Sequence, residues 1–272
     1  MDATLDPWLA RWRLTPDGAP FSTGYGSRLA PVRTADGRAA MLKLAGGAEE
    51  EAGGWLMDWW AGEGAARVFA VDGPAILLER LTGPRSLEAM AKGGEDDEAS
   101  RILCATAAGL HRPRQRPQPP TLVPLARWHR SLDEAARRDG GVFAEAWPVA
   151  ERLLSEPRDE VVLHGDLHHG NVLDGGDRGW LAIDPKGLIG ERGFEFANLF
   201  RNPTGEVALA PGRLARQVRI VAAAADLEPA RLLAWIYTYA VLGASWSLEH
   251  GNQSEAAAGL QIAAVAKAEM AA

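Results

Sequence analysis

The rhythm of apolar and polar positions changes near residue 82. Before it, apolar residues come in short runs separated by turn formers. "SRLAPVRTADGRAAMLKLA" carries two such runs joined at Asp36-Gly37, and "ARVFAVDGPAILLERL" carries two more joined at Asp72-Gly73-Pro74. Each reads as an antiparallel hairpin. Between them "GAEEEAGGWLMDWWAGEG" passes from acidic to aromatic with helical character, which Gly53-Gly54 weaken. Residues 1–81 therefore predict a small antiparallel sheet with one helix. "LTGPRS" then supplies a linker, and residues 82–272 read as mainly helical.

"DDEASRILCATAAGLH" opens with acids and continues with helix formers, the order that the helix dipole favours. The Pro-rich "RPRQRPQPPTLVP" cannot be helical throughout. "LARWHRSLDEAARRDGG" and "VFAEAWPVAERLLSE" follow as helices, the second with Phe143, Trp147, Ala150 and Leu154 at helical spacing. Pro148 is expected to kink or divide it. Three closing helices are predicted: Pro211 to Leu227, a long one starting near Pro229, and an Ala-rich one capped by Ser254. Within the long one, Leu232 to Leu248 is 17 residues without a charge. That is short for a bilayer and interrupted by Thr238, Gly243, Ser245 and Ser247, so it reads as a buried helix.

One late stretch has strand character. "EVVLHGD" ends a β-type run, "NVLDGGDRGWLAIDP" supplies two more, and the cluster Asp174-Gly175-Gly176-Asp177 turns the chain between them. Asp166 and Asn171 then lie on a loop and Asp184 at the end of a hairpin, so all three can converge.

The composition adds bounds. At 272 residues and 47% apolar the chain has material for one large or two modest domains. A net charge of −7 speaks against a nucleic-acid partner held by its phosphates and suits a cationic small molecule. Cys104, the single cysteine, leaves no internal disulfide and fits a buried apolar role in a reducing compartment. "MDATLDPWLARW" has an early acid and no apolar run of the secretory kind. A cytoplasmic monomer without membrane partners is expected.

The candidate chemistry lies in "LHGDLHHGN", Leu163 to Asn171, where three histidines stand beside an aspartate and an asparagine. A structural zinc site wants four nitrogen or sulfur ligands at fixed spacing. Here the one cysteine is distant, and His168 and His169 are adjacent, so their rings diverge. His164 and His169 read more simply as loop residues hydrogen-bonding the backbone. Magnesium, in contrast, takes oxygen ligands and keeps phosphate oxygens in its shell. Asp166, Asn171 and Asp184 offer one hydroxyl-orienting carboxylate and two oxygen ligands, the set that phosphoryl transfer uses. Lys43, on a predicted strand in "AMLKLA", could bind nucleotide phosphates, with Glu49, Glu50 and Glu51 beyond it to anchor it.

"LHGDLHHGNVL" with "GWLAIDPKGLIGERGFEFANLFRNP" resembles the aminoglycoside phosphotransferase family, more closely its branch of streptomycin 6-phosphotransferases and hydroxyurea phosphotransferases. The similarity runs from "STGYGSRLAPVRTADGRAAMLKL" into the C-terminal helices. It implies an α+β, protein-kinase-like bilobal fold, with ATP held between a small antiparallel β-rich N-lobe and a larger, mainly helical C-lobe. Carried over by position, Asp166 is the catalytic aspartate, Asn171 and Asp184 hold Mg2+, and Lys43 binds phosphate. Glu50 or Glu51 is its helix partner. The adenine-reading hinge falls at Glu79-Arg80-Leu81, and Glu195 and His164 support the catalytic loop. The phosphate-covering loop "STGYGSR" has Gly24 and Gly26 without a full G-x-G-x-x-G. Tyr25 and Ser27 either contact phosphate or form its turn.

For the acceptor, Trp235, Tyr237, Trp246 and Glu249 could line an acidic, aromatic pocket for a cationic or polyhydroxylated small molecule. Lys186, beside Asp184, could neutralise phosphate or sit on the surface. The expected activity is an ATP- and magnesium-dependent phosphorylation of a streptomycin-like aminoglycoside, with hydroxyurea or another sugar as alternative acceptors. A nucleotide-binding pseudokinase has no reason to keep four convergent groups. A protein kinase lacks room, since ten residues separate Asp184 from Glu195.

Overall fold

The computed structural model describes residues 4–23 and 26–271. Its N-terminal part begins with α1 (Asp6–Arg11), followed by β1 (Thr15–Pro16), β2 (Phe21–Ser22), β3 (Arg28–Arg33) and β4 (Ala39–Leu44). After α2 (Ala48–Trp60) come β5 (Val68–Asp72) and β6 (Ala75–Glu79). The strands form one antiparallel sheet in the order β1-β3-β4-β6-β5, with β2 also on β3. Both predicted hairpins are present. Gly37 at φ +83° and Gly73 at φ +53° take the left-handed conformations that their turns need.

Side-chain alternation decides what each face of this sheet meets. Ala30, Val32, Ala40, Leu42 and Leu77 point to one side and pack with Leu5 and Leu14 beneath α1. Lys43, one residue out of phase with Leu42, is therefore delivered to the opposite face, where Ile76 and Leu78 meet Leu56 and Met57 of α2. The glycine pair in α2 does not break it. A Cβ on Gly53 would stand 2.2 Å from the Pro185 carbonyl oxygen, so glycine lets this helix lie directly on the loop after Asp184.

Beyond Glu79 the chain is mainly helical: α3 (Leu87–Lys92), α4 (Asp96–Leu110), α5 (Leu125–Trp128) after the short strand β7 (Val123–Pro124), α6 (Arg130–Asp139) and α7 (Gly141–Ser155). Helix α7 runs through Pro148, so of the two expected outcomes, a kink or a division, the helix is not divided. Pro148 and Ala144, whose carbonyl loses its partner, both face solvent, where water can take up the free acceptor. The predicted helix from Pro211 to Leu227 is α9 (Arg213–Ala225), preceded by the single turn α8 (Gly205–Ala208). Helix α10 (Pro229–Glu249) is buried along most of its length, and none of the helices is long and apolar enough to cross a membrane among the described residues. Asn252, not Ser254, caps α11 (Gln253–Met270), its side chain accepting from the Glu255 N–H at 3.2 Å.

Between α7 and α8 lies the late β island. β8 (Glu160–Leu163) leads into the loop 164–171, and β9 (Val172–Asp174) pairs antiparallel with β10 (Trp180–Ala182) as predicted. β11 (Leu188–Glu191) was not expected: it pairs with β8 and β7 and occupies the segment after Asp184. A 3-10 stretch, Arg192–Arg201, carries the chain back beneath the loop.

Candidate active site

Loop 164–171 is held from below by Glu195, which is 1% exposed. Its carboxylate accepts the His164 N–H at 2.8 Å and the Gly165 N–H at 2.9 Å, and meets His111 Nε2 at 2.9 Å. Burial alone would push Glu195 up, yet these donors hold it below the usual carboxylate range. His164 is sandwiched in the same frame, its Nε2 against the Ile183 carbonyl at 2.8 Å and its Nδ1 accepting from the Asp166 N–H at 3.2 Å. Gly165, at φ +80°, makes the turn that brings Asp166 forward.

Asp166 itself is bound by two amides. Asn198 Nδ2 donates to Oδ1 at 2.7 Å, and Asn171 Nδ2 donates to Oδ2 at 3.3 Å and to the Asp166 carbonyl at 2.9 Å. Asn171 is also tied to the hairpin end, its carbonyl accepting from the Ile183 N–H at 2.9 Å. Burial pushes Asp166 up to about 7, against the pull of Lys186. Asp184 follows with φ +62°, a left-handed backbone costly for a side chain other than glycine. Its carboxylate is ion-paired with Lys43, which also bridges to Glu50.

The choice between the two helix acids is resolved: Glu50 takes the lysine. Burial opposes its charge, but Lys43 and then Lys186 outweigh this and bring Glu50 down to about 2. Ser27 turns to the helix acid. Its hydroxyl donates to Glu50 Oε2 and accepts from the Gly46 N–H, each at 3.2 Å, so it braces the acid. Gly26 takes φ +83° in the adjoining turn, while Gly24 and Tyr25 lie outside the described residues. Lys186 is no surface lysine. It is 12% exposed with Nζ at 3.1 Å from both Glu49 and Glu50, joining the loop after Asp184 to α2. At the end of β6, the Glu79 carboxylate pairs with Arg178 and accepts the Arg67 N–H, so this side chain fastens the strand end to the β9–β10 turn. Leu81 packs against the main core.

Among the described residues no three His, Cys, Asp or Glu side chains are grouped so that they could hold a metal ion. His168 Nδ1 accepts from the Gly170 N–H at 3.0 Å. His169 differs from expectation. Neither of its ring nitrogens has a hydrogen-bond partner, and it lies buried 4.0 Å from Asp96. The aromatic residues of α10 do not form one pocket. Trp235 donates its indole N–H to Glu191 in one cluster of the core, and Tyr237 belongs to another. Trp246 packs edge-on against Trp128 and Tyr239, and Glu249 is exposed at the end of the helix. No motif spacing singles out His111 or Asn198, which come from segments far away in sequence. Only the acid three residues before Asn198 in "GFEFANL" marks that region.

Comparison with known proteins identifies the fold and the family. A solved aminoglycoside phosphotransferase from Streptomyces rimosus, in complex with ADP and streptomycin, superposes with a TM-score of 0.57 over 97% of this chain and 99% of that one, at 15% identity. A choline/ethanolamine kinase family protein from Mesorhizobium loti superposes with a TM-score of 0.66 over 97% and 90%, at 17% identity. Both show the protein-kinase-like fold. The streptomycin 3''-kinase of Klebsiella pneumoniae is 48% identical over 96% of this chain and 98% of its own length. The hydroxyurea phosphotransferase of Kitasatospora aureofaciens is 32% identical over 90% and 72%. Residues 11–251 match the family model for aminoglycoside/hydroxyurea antibiotic resistance kinases, and the chain belongs to that family.

Proposed function

We propose that this kinase transfers the γ-phosphoryl group of ATP to a hydroxyl of streptomycin, the 3''-hydroxyl in particular, in the cytoplasm and as a monomer. The observation that carries the reading is Asp166: a half-buried carboxylate fixed by two amides, on a loop that also carries Asn171, with Asp184 following β10. The acceptor is supported by the 48% identity to a streptomycin 3''-kinase, against 33% to the streptomycin 6-kinase of Streptomyces glaucescens.

The donor set suits Mg2+. Asn171 commits its Nδ2 to Asp166, which leaves its Oδ1, together with the Asp184 carboxylate, as the hard oxygen ligands that would hold the ion. Bound there, the ion would neutralise charge on the nucleotide phosphates. Lys43 would exchange Asp184 for a phosphate oxygen while Glu50 keeps it in place. Asp166 Oδ2 then accepts the proton of the acceptor hydroxyl as its oxygen bonds to the γ-phosphorus, the bond to the β,γ-bridging oxygen breaks, and ADP departs.

The test is incubation with magnesium ATP and streptomycin, followed by mass and NMR analysis of the product. A singly phosphorylated streptomycin carrying the group at 3'' is expected. Phosphorylation of hydroxyurea in place of streptomycin would move the chain to the other branch of its family.

A further inference from the structure

Asp166 Oδ1 is bound by a donor outside the set that holds nucleotide and metal. Asn198, 8% exposed on the stretch Arg192–Arg201, directs its Nδ2 to that oxygen at 2.7 Å. Its amide cannot turn over without loss, because Asn202 Nδ2 donates to Asn198 Oδ1 at 3.2 Å and to the Asn198 carbonyl at 3.0 Å. Asn202 is held in turn. Its carbonyl accepts from Arg213 Nη2 at 3.1 Å, and Arg213 makes a two-pronged contact with Asp96, Nε to Oδ2 at 2.8 Å and Nη2 to Oδ1 at 2.9 Å. Gln217 adds a bond to Asp96 at 2.8 Å. A continuous chain of fixed polar groups thus runs from the first turn of α4, through α9, and ends on one oxygen of the catalytic carboxylate.

A carboxylate has a soft terminal torsion and can offer either oxygen. A hydrogen bond to an ionised acceptor, in a buried network whose members polarise one another, removes that freedom. Oδ2 by comparison accepts from Asn171 Nδ2 at the longer distance of 3.3 Å. We propose that Asn198 is a positioning residue that fixes the orientation of Asp166 and dedicates Oδ2 to the acceptor hydroxyl, with Asn202 and Arg213 as its support. This rests on Asp166 acting as the base in the reaction proposed above.

The test is a double-mutant cycle. Asn198→Leu keeps the size of the side chain and removes the donor; it is made alone and together with Asp166→Ala, and kcat and KM are measured for ATP and streptomycin. Alone it should lower kcat by ~10-fold to 10²-fold, the range for losing a group that orients a reacting one, with KM for ATP within about twofold of the parent. In the Asp166→Ala background it should cost nothing more, because the group it positions is gone. Asn202→Ala, which leaves Asn198 in place but loosens it, should reproduce a smaller fall in kcat and serves if Asn198→Leu does not fold. Equal losses in both backgrounds, or an undiminished kcat in Asn198→Leu or, where that does not fold, in Asn202→Ala, would overturn the proposal. If the parent enzyme does not phosphorylate streptomycin, the acceptor assignment fails on its own. The same cycle is then read from ATP hydrolysis, in which water takes the acceptor's place.

Discussion

Loop 164–171 and helix α10 hold polar and aromatic side chains by different means. In the loop, His164, Asp166 and Asn171, and beneath it Glu195, are each fixed by hydrogen bonds whose partners come from other segments: His111 at the end of α4, Ile183 after β10, and Asn198 on the 3-10 stretch. In α10, Tyr237 and Trp246 are fixed by packing and Trp235 by packing with one indole hydrogen bond to Glu191, the three being distributed among clusters of the core. Directed bonds set where a carboxylate oxygen points, as chemistry requires; packing excludes water and sets where a helix lies. The difference separates a reacting surface from its support, although both stretches are rich in residues that could serve as ligands.

The sharpest way to break this contrast is at Asp184. Asp184→Ala should reduce phosphoryl transfer below detection, since it removes one of the two oxygen ligands proposed for Mg2+. Transfer that persists in excess chelator would remove the metal from the account. A smaller effect is expected on α2. Glu50→Gln strips Lys43 and Lys186 of a shared partner and should cost ~10-fold to 10²-fold in kcat through misplaced phosphates, whereas Glu51→Gln should stay near the parent rate. Equal losses for the two would mean that the ion pairs around Glu50 do no positioning.

Much of this was legible in the sequence, and the reasons differ by residue. Lys43 could be placed because strand alternation is local, and Asp166, Asn171 and Asp184 because a loop and a hairpin bring near residues together. Ser27 was ambiguous because a hydroxyl beside a glycine turn serves a phosphate or a carboxylate equally well, and only the approach of α2 decides. Asn198 was hidden because its partner is 32 positions away, with no periodicity linking them. Pro148 does not divide α7, because the Ala144 carbonyl that it leaves unpartnered faces water, which helix propensity does not register. Trp235 and Tyr237 looked like a pocket because spacing along α10 does not say which elements pack against it.

The buried histidines sharpen the contrast through stability. Burial lowers His129 to about 4, His168 to about 3 and His169 to about 4, and also lowers His164. Unfolding returns each to about 6.5, so below that pH the unfolded chain binds more protons and stability falls as pH drops toward the folded values. Asp166, raised when folded, works in the opposite direction over the same window. The histidines outnumber it, and each uncompensated proton is worth about 1.4 kcal/mol per pH unit. Denaturant midpoints at pH 7.5 and pH 5.5 should therefore drop on acidification, and unchanged midpoints would mean that these rings are hydrated. The smallest effect is expected at the exposed end of α10, where Glu249→Gln should leave both kcat and the acceptor KM close to the parent's. A raised acceptor KM would restore that end of the helix to the binding site.

The most direct test is Asp166→Asn, a change of one oxygen to an amide at the centre of the loop. With magnesium ATP binding measured by calorimetry alongside turnover of streptomycin, nucleotide affinity should persist while kcat falls by ~10²–10⁴, the usual cost of losing a positioned general base. An Asp166→Asn enzyme that turns over streptomycin at the parent rate would contradict the assignment of this loop as the seat of phosphoryl transfer.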